Sequence, residues 1–192
     1  MDILSNIEER RAYRALSEKP IGLDILDRLA MAAHLAPSSA NNQPWRMVTV
    51  TEPARLEELR KCLSQGNYWA RKAPAITAFC ASADWSMKMD QGRELAWFEL
   101  GMAAMNYQLQ AVQEGLHVHP IVGFNAGLAK QVLGIPESVT LEILMILAYP
   151  GSADGLNEKH LAAESAPRSR KPLESVYASD AWDDRLLPPP KV

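Results

Sequence analysis

The chain has 192 residues, 47% of them hydrophobic, and a formal net charge of −3. This length suits one globular domain with a full core, or one protomer of an obligate dimer, and the charge lacks the basic surplus of proteins that bind nucleic acids or anionic membranes. The acidic N-terminus has no apolar signal core, and no apolar run approaches the roughly 18–20 residues of a membrane span, so we expect a cytoplasmic protein.

The first expected element is a helix that begins at Ser5, because residues 5–8 match a capping box. It would run to the break at 17–20 and would carry Arg10 and Arg14 on one face, since they lie four positions apart. A second helix is expected over 22–35, where apolar residues recur at helical spacing.

The middle of the chain mixes strands and helices without a regular alternation. Strand patterns occupy three segments: 46–51, 73–81 and 141–149. Helical patterns occupy three others: 53–64, 91–114 and 126–133. The stretch 36–44 has the composition of a turn, and 116–124 is expected to be a loop. The 91–114 helix is apolar on most of its circumference, and a dimer would bury such a helix more easily than a lone chain of this size.

The residues after Pro150 have little periodicity. A segment of this length without secondary structure is unusual in a compact domain, so 151–192 is either disordered or an arm laid on a partner subunit. Its apolar residues favour the arm, because disordered tails rarely keep such side chains: Leu173, Val176, Tyr177 and Trp182. The prolines 188–190 are expected to be a loose end. We therefore expect a single domain over 1–192, with 151–192 as its extended C-terminal arm.

Two arginine clusters lie far apart in the sequence, one at 10–14 and one at 168–170. A guanidinium keeps its charge at any working pH and offers a fork of donors that suits phosphate oxygens. The two clusters make sense together if the fold brings them to one anion. The glycine patterns of a Rossmann site and of a P-loop are both missing, so neither explains that anion.

Other potential ligands carry weaker signals. Cys62 and Cys80 have no metal or redox spacing and are expected to be buried. His117 and His119 have no third ligand nearby in the sequence, so we expect no metal and assign them to a loop or a substrate pocket. Histidine titrates near neutral pH, and the pair would be able to tune specificity as proton donors.

Four segments, in this order, resemble the nitroreductase family of FMN-dependent NAD(P)H oxidoreductases. They are Arg10-Arg11-Ala12-Tyr13-Arg14, the stretch from Ala36-Pro37-Ser38-Ser39 through Asn41 to Gln43-Pro44-Trp45, Gly115-Leu116 with Pro120-Ile121-Val122-Gly123-Phe124, and Arg168-Ser169-Arg170-Lys171-Pro172-Leu173. The likeness spans about residues 5 to 185. It implies an α+β fold with a mainly antiparallel sheet flanked by helices. It also implies an intertwined homodimer with two FMN sites at the interface and each C-terminal arm on the partner.

The resemblance also assigns residues to the cofactor. Arg10, Arg168 and Arg170 would bind the FMN phosphate. Arg11 would lie beside the phosphate or the ribityl chain, and Arg14 would reach the pyrimidine edge of the flavin.

A second set of residues would contact the flavin through backbone and hydroxyl groups. The partner subunit would supply the turn Pro37, Ser38, Ser39 and Asn41. The loop Pro120, Ile121, Val122 and Gly123 would face the ring, with the Val122 and Gly123 amides donating to flavin N5 and O4. Asn67 is a further candidate for the pyrimidine edge. Ala12 stands where the family usually has serine, and the missing hydrogen bond would weaken FMN binding by about 1 kcal/mol.

The reaction that the resemblance implies is a ping-pong hydride transfer. NAD(P)H would reduce flavin N5, and a small acceptor such as a nitroaromatic or a quinone would then take two electrons. Three alternatives remain open at this point: a family enzyme that dehalogenates or oxidises its substrate or fragments flavin, a flavin-binding protein without turnover, and an arginine-lined phosphometabolite binder without flavin.

Overall fold

The computed structural model describes residues 2–188, so Pro189 and Pro190 of the expected loose end lie outside the described residues. The helices are α1 (Ser5–Glu9), α2 (Leu23–His34), α3 (Pro53–Lys61), α4 (Leu95–Gln113), α5 (Ala126–Leu133) and α6 (Glu158–Ser165). The strands are β1 (Arg46–Val50), β2 (Ala75–Ala81), β3 (His117–Ile121) and β4 (Thr140–Ala148). Short 3₁₀ turns occupy Ser39–Asn41, Gln65–Lys72, Ala83–Trp85, Leu173–Ser175 and Asp184–Leu186.

The strands form one antiparallel sheet in the order β1-β2-β4-β3. The two central strands pair along most of their length, with Ile76 opposite Ile146, and β2 is buried at every position. The expected α+β class with an antiparallel sheet is confirmed.

Each face of the sheet is covered by helices, as its alternating side chains require. The side chains of Ile76 and Leu144 point to the layer that contains α3 and α5, which also buries both cysteines. The side chains of Phe79 and Leu147 point to the layer that contains α2 and α4. The sheet therefore stands between two apolar cores and gives the loops at its ends a rigid base.

Helices α2, α3 and α5 confirm the periodic segments, and local capping signals mark the ends of α3 and α5. The Glu52 side chain accepts hydrogen bonds from the first-turn amides of α3, and Pro53 occupies the first helical position. Helix α4 stops just before Gly115, whose φ of +72° is the left-handed conformation typical of a helix C-terminus.

The first helix is shorter than expected. Helix α1 ends at Glu9, its N-cap is Leu4 rather than Ser5, and no side chain caps it. Arg10 and Arg14 therefore do not share a helix face. The residues that follow run in extended form because β-type contacts hold them: Leu16 bridges Pro150, and the Ser17 amide donates to the Tyr149 carbonyl at 3.0 Å.

Part of the expected loop 116–124 is the strand β3, which pairs with β4. The sequence did not predict this strand, because Pro120 and the two histidines are not typical of strands. Strand β3 lies at an edge of the sheet, where a proline without an N–H group is tolerated.

The C-terminal segment is not structureless, because α6 occupies Glu158–Ser165. Asn157 caps this helix by accepting a hydrogen bond from the His160 amide. None of the α6 residues is fully buried, which explains why its sequence lacks a clear apolar stripe.

Candidate functional site

Three of the arginines come together although they lie far apart in the sequence. The guanidinium of Arg168 donates to the carbonyls of Ile7, Glu8 and Arg10, with distances of 3.1 Å to Ile7 and 2.6 Å to Glu8. Burial, followed by the charges of Arg168 and Arg170, lowers the pKa of Arg10. Within residues 2–188 no carboxylate lies in salt-bridge range of Arg10, Arg168 or Arg170. Like charges near one another repel, and a bound anion would relieve this repulsion.

Arg14 lies a short distance along the same extended segment. Its guanidinium is 5.7 Å from the Trp69 ring centroid, a cation–π contact. Its Nε atom is buried and has no hydrogen-bond partner among the described residues. A buried N–H without an acceptor is costly, so this atom is suited to a ligand oxygen or nitrogen.

The two histidines of β3 fasten the arginine segment to the sheet. The Nδ1 atoms of His117 and His119 lie 3.1 Å and 3.0 Å from the carbonyl oxygens of Ala15 and Tyr13. A carbonyl only accepts, so each Nδ1 carries the proton and donates. His117 also stacks on Tyr13, with ring centroids 4.3 Å apart. Their side chains therefore hold the segment that carries Arg10 and Arg14.

Burial sets the charge of these histidines. It lowers the pKa of His119 to about 4, against the raising effect of the hydrogen bond to Tyr13. Burial also lowers the pKa of His117. Both rings are neutral at physiological pH, so the positive charge of the site comes from the arginines.

The proline–serine turn is strained and firmly held. Ala40, Asn41 and Gln43 all have positive φ, between 48° and 55°. Non-glycine residues adopt this conformation only where the surroundings compensate for it. The Ser38 hydroxyl accepts a hydrogen bond from the Gln43 amide at 2.9 Å, which closes the turn on itself.

A buried carboxylate anchors this turn to the long helix α4. Glu99 is 1% exposed, and its two oxygens accept hydrogen bonds of 2.6 Å from the Ser39 amide and from the Ser86 hydroxyl. Glu99 therefore joins the turn to the loop between β2 and α4.

The loop after β3 meets the 3₁₀ turn Gln65–Lys72. The Gly123 carbonyl accepts from the Ser64 amide at 2.9 Å and from the Asn67 side chain at 2.8 Å. A Cβ atom on Gly123 would lie 2.7 Å from the tips of the Asn67 and Ser64 side chains, so a larger residue here would displace them. Val122 is 76% exposed. Asn67 thus lies beside the expected flavin-facing loop, and Pro120 and Ile121 belong to the strand that supports it.

The expected site residues fall into two groups. Arg10, Arg14 and the loop at Val122–Gly123 belong to the β3 edge of the sheet, together with Arg168 and Arg170. Pro37, Ser38, Ser39 and Asn41 belong to the turn before β1. Within residues 2–188 no hydrogen bond, ion pair or aromatic contact joins the two groups. Ala12 is exposed and Arg11 contacts α6 instead of the arginine cluster.

Sequence reasoning missed the residues that support the site. Glu99 and Glu164, whose carboxylate accepts from the Arg14 amide at 2.7 Å, are isolated acidic residues in the sequence, and such residues usually face solvent. The one available signal was Glu99 on the apolar helix α4, since a charge among the apolar residues of such a helix needs a partner if it is buried. Within the described residues, no three His, Cys, Asp or Glu side chains gather as a metal site, and no helix has the length and apolarity of a membrane crossing.

Comparison with known proteins agrees with this architecture. A crystal structure described as an oxidoreductase containing FMN superposes with a TM-score of 0.82 at 23% identity, covering 95% of this chain and 94% of that one. The FMN reductase (NAD(P)H) of Bacillus subtilis is 26% identical over 195 residues, which cover 94% of this chain and 74% of the relative. The NADH dehydrogenase of Thermus thermophilus is 26% identical over 198 residues, which cover 88% of this chain and 91% of the relative.

The antiparallel sheet with helices on both faces is an α+β architecture of the nitroreductase type. The sequence model of the nitroreductase family matches residues 7–67 and 64–151, and the chain belongs to that family.

The residues present fit FMN. The converging arginines suit its phosphate, and the unpartnered Nε of Arg14 suits an acceptor on the ring edge.

Proposed function

We propose that this chain is an FMN-dependent oxidoreductase that uses NAD(P)H to reduce nitroaromatics, quinones or similar small acceptors by two electrons. The convergence of Arg10, Arg168 and Arg170 without a carboxylate partner in residues 2–188 carries the proposal. The family to which the chain belongs and the FMN reductase among its relatives support it.

Arg10, Arg168 and Arg170 would hold the phosphate. The guanidinium of Arg170 makes fewer hydrogen bonds within residues 2–188 than that of Arg168. The Arg170 guanidinium donates only to the neighbouring Ser169 carbonyl among the described residues. When bound there, FMN would supply the two-electron redox chemistry that links NAD(P)H to the acceptor. Arg14 would place a fixed positive charge at the pyrimidine edge, where it favours negative charge on the ring.

The loop after β3 would present donors to the ring. The Gly123 carbonyl accepts hydrogen bonds from Ser64 and Asn67, and these bonds fix the conformation of the loop. The Val122 and Gly123 amides would then stabilise added charge without reorganisation.

A second copy of the chain would complete the site. The turn Pro37, Ser38, Ser39 and Asn41 makes no hydrogen bond or ion pair with the arginine group within residues 2–188, so the partner's turn is the proposed flavin contact. Exposed apolar side chains support a homodimer of single-domain chains with 151–192 as an arm on the partner. On the arm these are Leu173, Val176, Tyr177 and Trp182, which are 57–68% exposed in the single chain.

The visible spectrum of the purified protein, before and after anaerobic addition of NADH or NADPH, tests the function. We expect flavin absorption that bleaches with one of the donors and returns when a nitroaromatic or a quinone is added. A yellow protein that neither donor bleaches would instead be a flavin-binding protein. A colourless protein that remains apo when mixed with FMN would refute the proposal.

The acceptor panel also separates reactions within the family. A halogenated phenol and free flavin are included beside the nitroaromatic and the quinone. Reoxidation by a halogenated phenol, with release of halide and no response to the other acceptors, would replace the proposed acceptor class by dehalogenation.

A further inference from the structure

Helix α6 and the arginine segment hold each other through reciprocal contacts. The Arg11 guanidinium donates to the Ala166 carbonyl at 2.7 Å and to the Ala163 carbonyl at 3.3 Å. In the other direction, the Glu164 carboxylate accepts from the Arg14 amide at 2.7 Å and from the Ala15 amide at 3.3 Å. These contacts link parts of the chain that are about 150 residues apart.

Each half of this arrangement has a physical reason. The last carbonyls of a helix lack intrahelical partners and carry partial negative charge, so a cation there is stabilising. Helix α6 has no basic residue in its own last turn, and Arg11 supplies that cation from another element. The extended segment at Arg14 has free amides, and Glu164 satisfies two of them.

The contact between α6 and residues 11–15 lies next to the arginine cluster in the sequence. Arg168 follows Ala166 by two residues and binds the backbone of residues 7–10, while Arg10 immediately precedes Arg11. Both sides of the three-arginine cluster are therefore fixed next to the contact between α6 and the segment 11–15.

We propose that Arg11 and Glu164 form a latch that positions the phosphate-binding arginines without touching the phosphate. Arg11 is thus a positioning residue, in contrast to the direct contact that its place in the family motif suggests. The inference rests on the proposed function, because it assigns the arginine cluster to the FMN phosphate.

The dissociation constant of FMN, measured by quenching of flavin fluorescence at several salt concentrations, tests the latch. Arg170→Ala removes a charge that contacts the phosphate, so it should weaken FMN and flatten the salt dependence. Arg11→Ala and Glu164→Ala should each weaken FMN by about three- to tenfold, with the salt dependence of the wild type. Arg11→Lys should recover part of the loss, since lysine can also donate to the α6 carbonyls.

Two further measurements separate the latch from a general loss of structure. Amide hydrogen exchange of the flavin-free protein should accelerate at Arg14, Ala15 and along α6 in both latch variants, and core strand β2 should keep its protection. Lys159→Ala is the matched control, because it removes a positive charge from α6 and leaves the latch intact. It should change neither exchange nor FMN affinity.

Three results would overturn the latch. One is an unchanged FMN affinity in Arg11→Ala, and another is a flattened salt dependence equal to that of Arg170→Ala, which would make Arg11 a phosphate ligand. The third is unchanged exchange at Arg14 and Ala15. A wild-type protein that binds no FMN would refute the proposed function itself, and the exchange data would still report whether Arg11 holds α6.

Discussion

The buried, neutral ring of His119 makes the stability of the fold depend on pH. It is 8% exposed, packs on Trp69 with ring centroids 4.4 Å apart, and donates to the Tyr13 carbonyl. Burial lowers its pKa to about 4, whereas an unfolded chain has the ordinary histidine value near 6.5. Between these values the unfolded state binds a proton that the folded state does not. The free energy of unfolding therefore falls as the pH drops from about 6.5 to about 4.

His119→Asn should reduce this pH dependence. Asparagine keeps a donor near the position of Nδ1 but does not titrate, and the His119 part of the loss between about pH 7 and about pH 5, on the order of 2 kcal/mol, should disappear. Urea denaturation at the two pH values measures it. The exposed His34 on α2 supplies the control, His34→Asn, which should keep the wild-type difference. An equal loss in His119→Asn and wild type would contradict the neutral, buried state of His119.

For single residues, the sequence predicted which residue types form the site but not the groups to which they are hydrogen-bonded. The arginines and the Pro37–Ser38–Ser39 turn were predictable because guanidinium pairs and proline–serine turns have distinctive chemistry. The roles of His117 and His119 were not, since their partners are backbone carbonyls of a segment about 100 residues away.

Among the secondary-structure elements, α4 holds the Ser38–Ser39 turn against the loop between β2 and α4 through Glu99. The Ser39 amide can only donate, so the acceptor opposite it is indispensable, whereas the Ser86 hydroxyl can donate or accept. Glutamine would preserve both hydrogen bonds by turning its oxygen to Ser39 and its amide group to Ser86.

We therefore expect Glu99→Gln to cost at most about 1 kcal/mol of unfolding free energy, and Glu99→Leu to cost about 2–3 kcal/mol by leaving the Ser39 amide unsatisfied. Thermal and urea denaturation of both variants measure the difference. If glutamine proves as damaging as leucine, the negative charge itself is required, and the hydrogen-bond explanation of Glu99 is wrong.

Elements with a strong periodic signal were predictable, and elements fixed by distant contacts were not. Helices α2 and α5 have an apolar stripe, α5 also has local caps at Asn125 and Gly134, and β4 is apolar without interruption from Ile143 to Ala148. The residues after Glu9 have helical propensity, but pairing with the chain near Pro150 holds them extended. Strand β3 was missed for the same reason, because only its pairing with β4 offsets a proline in the strand.

The whole molecule leaves one side of its α2–α4 layer apolar and exposed. On α4, Phe98 is 65% exposed and Met105 is 44% exposed, and on α2, Met31 is 56% exposed. Apolar area of this kind on a helix that is otherwise buried is typical of a subunit interface. The proposed homodimer would cover this face and bring the turn at Ser38 and Ser39 to the partner's arginine cluster.

Phe98→Glu should therefore separate the protomers and, with them, the two halves of the site. A charge buried in an apolar interface without a partner is strongly unfavourable, so we expect a monomer and a loss of FMN affinity of at least about tenfold. Light scattering coupled to size-exclusion chromatography gives the mass, and flavin fluorescence gives the affinity. Leu128→Glu, which places the same charge on the 40% exposed Leu128 of α5, should remain dimeric and retain FMN. A monomeric Phe98→Glu protein that binds FMN as tightly as the wild type would show that one chain holds the cofactor unaided, and the shared site would then be wrong.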